Sequence, residues 1–81
     1  MRGPTVTENI EPCYRMLAAR IESIRETLGV TQAELAKRTG LSRPSIANIE
    51  VGRQRISLHH VERIAQGLGT TPKHLMRGVW F

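Results

Sequence analysis

Lys37, Arg38, Arg43, Arg53 and Arg55 crowd residues 31–55, where only Glu34 and Glu50 oppose them, for a local net charge of +3. Residues 1–30 are balanced, and residues 56–81 add +2, so the chain total of +5 is concentrated from residue 31 onward. A surface of this kind attracts a polyanion, most often nucleic acid; the blander alternative is a solvated basic face. Asn48 lies among these cations. A carboxamide can pair bidentately with adenine and a guanidinium with guanine O6 and N7, each pairing giving about 1–3 kcal/mol of discrimination. Other chemistry is poorly supported. His59, His60 and His74 have no metal-ligand spacing with one another or with Cys13, and Ser45 has no general base near it in sequence. The expectation is therefore no catalysis, no metal and no cofactor.

The 81 residues suffice for one domain. A domain this short buries only about 60% of its unfolded surface, which disfavours a deep two-sided active site. The single cysteine allows no internal disulfide and fits a reducing compartment. No stretch reaches the ~20 apolar residues of a membrane span, and no apolar leader is visible. These readings together give a cytoplasmic expectation.

The elements that must position the basic stretch are helical. Helix formers dominate, and aromatics are one Tyr, one Trp and one Phe. Residues 1–10 contain Gly3 and Pro4 without helical period and read as a flexible arm, leaving residues 11–81 as the domain. Pro12 reads as a helix entry, with Leu17, Ile21, Ile24 and Leu28 as one apolar stripe and Gly29 as the stop. Thr31-Gln32-Ala33-Glu34 reads as a capping box opening a second helix that ends at Gly40. Ser42 caps a third helix, with its hydroxyl taken by Ser45 because Pro44 lacks an N–H. Ser57 caps a fourth, with Leu58, Val61, Ile64, Ala65 and Leu68 inward and Gly67 and Gly69 bracketing its end. Thr71-Pro72 starts a short fifth helix carrying Leu75 and Met76. The expected fold is all-α, with five helices and an apolar tail of Val79, Trp80 and Phe81.

Residues 32–51, QAELAKRTGLSRPSIANIEV, have the mechanics of a helix-turn-helix. Leu35, Leu41, Ile46 and Ile49 face inward, Ala36 is small at the crossing, and Gly40 supplies a left-handed turn. The second helix of such a pair can lie in the major groove. From about Ile21 to Met76 the chain resembles the phage repressor-like (Cro/cI, XRE) helix-turn-helix family. The resemblance is carried by RETLGVTQAELAKRTGLSRPSIANIEVGR and LHHVERIAQGLGTTPKHL. It implies a lambda-repressor-like five-helix domain, with the motif at helices 2 and 3, that binds double-stranded DNA as a homodimer on a near-palindromic operator.

The resemblance also implies roles. Gln32 grips a phosphate at the second helix's N-terminus and braces the recognition helix. Arg43, Pro44, Ser45 and Asn48 occupy base-facing and phosphate-facing slots, with Arg43 open to either. Arg53 and Arg55 reach the sugar-phosphate backbone from the following loop. Lys37 adds position and affinity rather than sequence reading. Arg25 and Glu50 form a structural ion pair. Three departures are visible: Arg43 stands where many relatives have Gln, and Pro44 and Val51 stand where relatives often carry polar residues, so no operator can be carried over from a relative. Val79, Trp80 and Phe81 are the candidate dimer contact. Phage regulators, restriction-modification controllers and antitoxins all fit a stand-alone domain. A competing reading is an adaptor whose main partner is a protein, such as a toxin or an RNA polymerase subunit.

Overall fold

The computed structural model describes the backbone of residues 4–79 and the side chains of residues 12–79. Its helices are α1 (Pro4–Thr27), α2 (Gln32–Thr39), α3 (Arg43–Glu50), α4 (Leu58–Gly67) and α5 (Pro72–Leu75). Four helices start on side-chain caps that the sequence announces. Thr31, Ser42, Ser57 and Thr71 each accept from the backbone N–H three residues on. Ser45 does take the Ser42 cap, at 3.1 Å. Gly40 ends α2 at φ 78°, a conformation that only glycine adopts cheaply.

The core gathers one apolar face from every helix. Ile21, Leu35, Ile46, Ile49, Ile64 and Leu75 are its largest fully buried side chains. Tyr14, Ile24, Leu41, Met76 and Val79 pack partly buried around it.

Several expectations are corrected. α1 begins at Pro4 rather than at Pro12, so most of the segment read as a loose arm has a helical backbone. A proline inside a helix removes one N–H bond and crowds the carbonyl a turn earlier, but does not forbid a helix on both sides. Leu28 and Leu58 are 51% and 77% exposed, not part of the inward stripes. Leu28 lies just past the end of α1, and Leu58 is the first residue of α4, so the turn that would bury either is missing. The capping box of α2 is half formed: Thr31 Oγ1 accepts from the Glu34 amide, but the Glu34 carboxylate pairs with Arg38 at 3.2 Å. A guanidinium at i+4 competes with the backbone amide for that carboxylate. A complete box forms on α4 instead, where His60 Nδ1 accepts from the Ser57 N–H at 3.2 Å.

Helices α2 and α4 are locked by reciprocal capping. Arg38 of α2 donates to the Gly67 carbonyl at the end of α4 (3.0 Å), and Arg63 of α4 donates to the Thr39 carbonyl at the end of α2 (3.3 Å). Each charge meets the negative end of the other's dipole. Arg20 does the same for the last turn of the domain, donating to the Arg77 carbonyl at 2.7 Å.

Gly67 is more than a helix end. A Cβ there would sit 2.9 Å from Thr39 Cγ2 and 3.1 Å from Leu35 Cδ1. Thr39 cannot turn away, because its hydroxyl donates towards the Leu35 and Ala36 carbonyls and accepts from the Leu41 amide. Gly67→Ala should therefore lower stability by about 1–3 kcal/mol in urea unfolding, despite alanine's better helix propensity. An increase would mean that α2 and α4 are free to move apart.

Candidate nucleic-acid interface

The turn between α2 and α3 sets the second helix of the motif across the first, with Leu35 and Ala36 of α2 and Ile46 and Ile49 of α3 buried. The inward set leaves α3 one face to present. Arg43 and Pro44 are exposed there, and Ser45 and Asn48 are half-buried. Lys37, Arg53 and Arg55 are exposed.

The loop after α3 is fastened back onto it. The Arg53 and Gln54 amides both donate to the Asn48 carbonyl, at 2.8 and 3.2 Å. Ser45 Oγ donates to Gln54 Oε1 at 3.1 Å. The two loop arginines thus leave the end of α3 from a fixed origin. Arg55 lies over the Tyr14 ring, 5.4 Å from its centroid, a cation–π contact between the loop and α1.

Behind this face is a buried clamp. Arg25 of α1 forks onto Glu50 at the end of α3, Nε to Oε2 at 2.6 Å and Nη2 to Oε1 at 3.0 Å. Its Nη1 donates to the Val30 carbonyl at 2.8 Å. Gln32 Nε2, at the start of α2, also donates to Glu50 Oε1, at 3.0 Å. One carboxylate, with its side chain 1% exposed, therefore ties together α1, α2 and α3. The Glu50 hydrogen bond raises the Arg25 pKa above its already high ordinary value, against the opposing effect of burial. The two parallel N–H···O bonds make the contact bidentate.

The structure thus brings Arg43, Pro44, Ser45, Asn48, Arg53 and Arg55 to α3 and the loop fastened to it, and places the Gln32 amide on Glu50. Val79 is half-buried against the domain's own core, while Trp80 and Phe81 lie outside the described residues. Among the described residues, no group of three or more His, Cys, Asp or Glu side chains is placed to hold a metal. No described helix is long and apolar enough to cross a membrane.

Sequence reasoning missed Gln54 and Tyr14. Gln54 had a weak signal, a polar residue between two arginines. Tyr14 had none, because its partner Arg55 in the loop after α3 is distant in the chain.

Comparison with known proteins agrees with this geometry. The family model described as Helix-turn-helix matches residues 21–75. An uncharacterized HTH-type transcriptional regulator of Methanothermobacter thermautotrophicus is 47% identical over 49 residues, covering 60% of this chain and 71% of that protein. Among solved structures, the restriction-modification controller protein C.AhdI of Aeromonas hydrophila superposes with a TM-score of 0.74 at 27% identity, covering 76% of this chain and 94% of its own. The clp gene regulator ClgR of Corynebacterium glutamicum gives 0.77 at 26% identity, covering 80% and 69%. With its motif, its five-helix fold and these relatives in agreement, the chain belongs to the phage repressor-like (Cro/cI, XRE) helix-turn-helix family of DNA-binding transcriptional regulators, not to a family of enzymes.

Proposed function

We propose that the chain is a cytoplasmic regulator that binds double-stranded DNA sequence-specifically as a homodimer, with α3 of each protomer in the major groove of one half of a near-palindromic operator. The observation that carries this reading is the division of α3. Ile46, Ile49 and Glu50 are buried, while Arg43 and Pro44 are exposed and Ser45 and Asn48 half-buried beside a basic loop. A helix so divided has one side for the domain and one for a ligand, and the ligand side carries cations, a carboxamide and a hydroxyl.

Asn48 and Arg43 contact base edges, Pro44 offers an apolar contact suited to a thymine methyl, and Ser45 reads or positions. Lys37, Arg53 and Arg55 contact phosphates. Gln32 braces Glu50 and presents the α2 N-terminus to a phosphate. The tail of Val79, Trp80 and Phe81 is the proposed contact between protomers. Likeness to a restriction-modification controller and to a clp gene regulator supports a regulatory role for the chain.

Selection from a random duplex pool at stated salt tests the reading. It should enrich two inverted half-sites whose centres lie about one helical turn, or a multiple of it, apart. Enrichment of single half-sites would remove the dimer. No enrichment at any salt would remove sequence-specific binding and favour the protein-partner reading.

A further inference from the structure

Ser45 is the third residue of α3 and stands one turn before Asn48, on the same side of the helix. A serine hydroxyl carries one proton and two acceptor lone pairs, so in a major groove it can serve either a base amine or a base carbonyl. Here the proton is already committed: Ser45 Oγ donates to Gln54 Oε1 at 3.1 Å. Gln54 is held in place through its own backbone. Its N–H donates to the Asn48 carbonyl at 3.2 Å, and the neighbouring Arg53 N–H joins the same carbonyl at 2.8 Å. The acceptor that takes the Ser45 proton is therefore anchored to the helix that carries Ser45. The Ser45 backbone N–H is taken as well, by Ser42 Oγ at 3.1 Å. What Ser45 keeps for a ligand is lone pairs and no proton.

We propose that Gln54 is a positioning residue that sets the base specificity of Ser45. By taking the hydroxyl proton it makes Ser45 an acceptor only. Ser45 then reads an exocyclic amine, adenine N6 or cytosine N4, and does not donate to guanine O6, guanine N7 or thymine O4. The effect of Gln54 on the base passes through that hydroxyl. Helix and loop thus form one reading unit, in a loop whose arginines otherwise serve phosphates. The proposal rests on the duplex-binding reading and gives Ser45 a defined hydrogen-bonding sense within it.

The test selects operators from random duplex with wild type, Ser45→Ala, Gln54→Ala and Gln54→Glu. Ser45→Ala should flatten preference at one base pair per half-site, which locates the Ser45 contact. Every base pair carries one amine in the major groove, so that pair can be rebuilt without it, with purine in place of adenine or 2-pyrimidinone in place of cytosine. Loss of the amine should cost wild type roughly 2- to 12-fold more affinity per half-site than it costs Ser45→Ala, the effect of one hydrogen bond. Comparing both proteins on both duplexes cancels the weakened base pairing of the analogue. Gln54→Ala frees the hydroxyl proton, so preference at that pair should shrink towards that of Ser45→Ala while the other positions keep theirs. Gln54→Glu can only accept from Ser45 when ionised. It should retain the wild-type preference and bind every duplex more weakly, because its charge faces phosphates. Ser45 and Gln54 are half-buried outside the core cluster, so the variants should fold. Equal amine losses in wild type and Ser45→Ala overturn the proposal, as does a Ser45→Ala variant that alters preference at no pair. A Gln54→Ala variant that weakens all duplexes alike and keeps the preference behaves as a plain loop anchor and also overturns it. So does a Gln54→Glu variant that loses the preference. In each of these cases wild type still selects an operator and the duplex reading stands. A wild type that selects none overturns both.

Discussion

Glu50→Ala should cost about 3–5 kcal/mol of folding stability, the largest effect expected of any single substitution in this chain. The carboxylate accepts from Arg25 at 2.6 and 3.0 Å and from Gln32 at 3.0 Å, in a site from which water is nearly excluded. Removing it strands the Arg25 guanidinium, 10% exposed by side chain, whose remaining close partners among the described residues are the Val30 carbonyl and an exposed Glu26 at 3.8 Å. Small domains are stable by about 5–15 kcal/mol, so this one change brings the protein close to its unfolding threshold at room temperature. Most of the loss comes from the stranded charge, not from the value of the ion pair itself. The double variant Arg25→Met with Glu50→Leu should accordingly regain most of the stability lost by Glu50→Ala. Urea unfolding of the three proteins measures this. A single variant within 1 kcal/mol of wild type would show the guanidinium reaching water, contrary to the burial described above.

The second large effect is on recognition. Asn48→Ala should reduce affinity for the preferred operator by roughly 5- to 150-fold per half-site, and most of that loss should vanish on an operator changed at the base pair Asn48 reads. Arg53→Ala should weaken every duplex alike and flatten the salt slope by about 0.9 per protomer. The two residues are joined through one backbone contact, the Arg53 N–H to the Asn48 carbonyl at 2.8 Å. Substituting either side chain leaves that contact in place, so the two phenotypes should separate cleanly. Competition binding of both variants against matched and mismatched duplexes distinguishes them. Identical behaviour would mean that bases and phosphates are not divided between α3 and its loop in this way.

Much of the scaffold for this division was legible in the sequence because it is local. A hydroxyl cap acts three residues away, and Gly40 sits where the chain must turn with positive φ. The apolar period of α3 and α4 names Ile46, Ile49, Val61 and Ile64 without reference to anything distant. The errors arose where a local rule had a competitor or no neighbour. Proline favours first turns, so Pro12 points to a beginning, yet the helix continues upstream of it. Leu58 follows the inward period but opens its helix with no turn before it, and is exposed. The local rule gives Glu34 a backbone amide, but an arginine one turn on takes its carboxylate. The clamp at Glu50 was legible only through resemblance to a family. The bond from Ser45 to Gln54 and the contact of Tyr14 with Arg55 were not legible at all. They depend on where a loop and a helix meet after folding.

The groove itself offers the most direct test. In the selected operator, 7-deazaguanine and 7-deazaadenine remove the major-groove N7 acceptors and uracil for thymine removes the methyl, while the minor groove is left as it was. Affinity should fall at the half-site positions under Arg43, Pro44 and Asn48 and nowhere else; full affinity with every such position replaced would contradict a helix seated in the major groove.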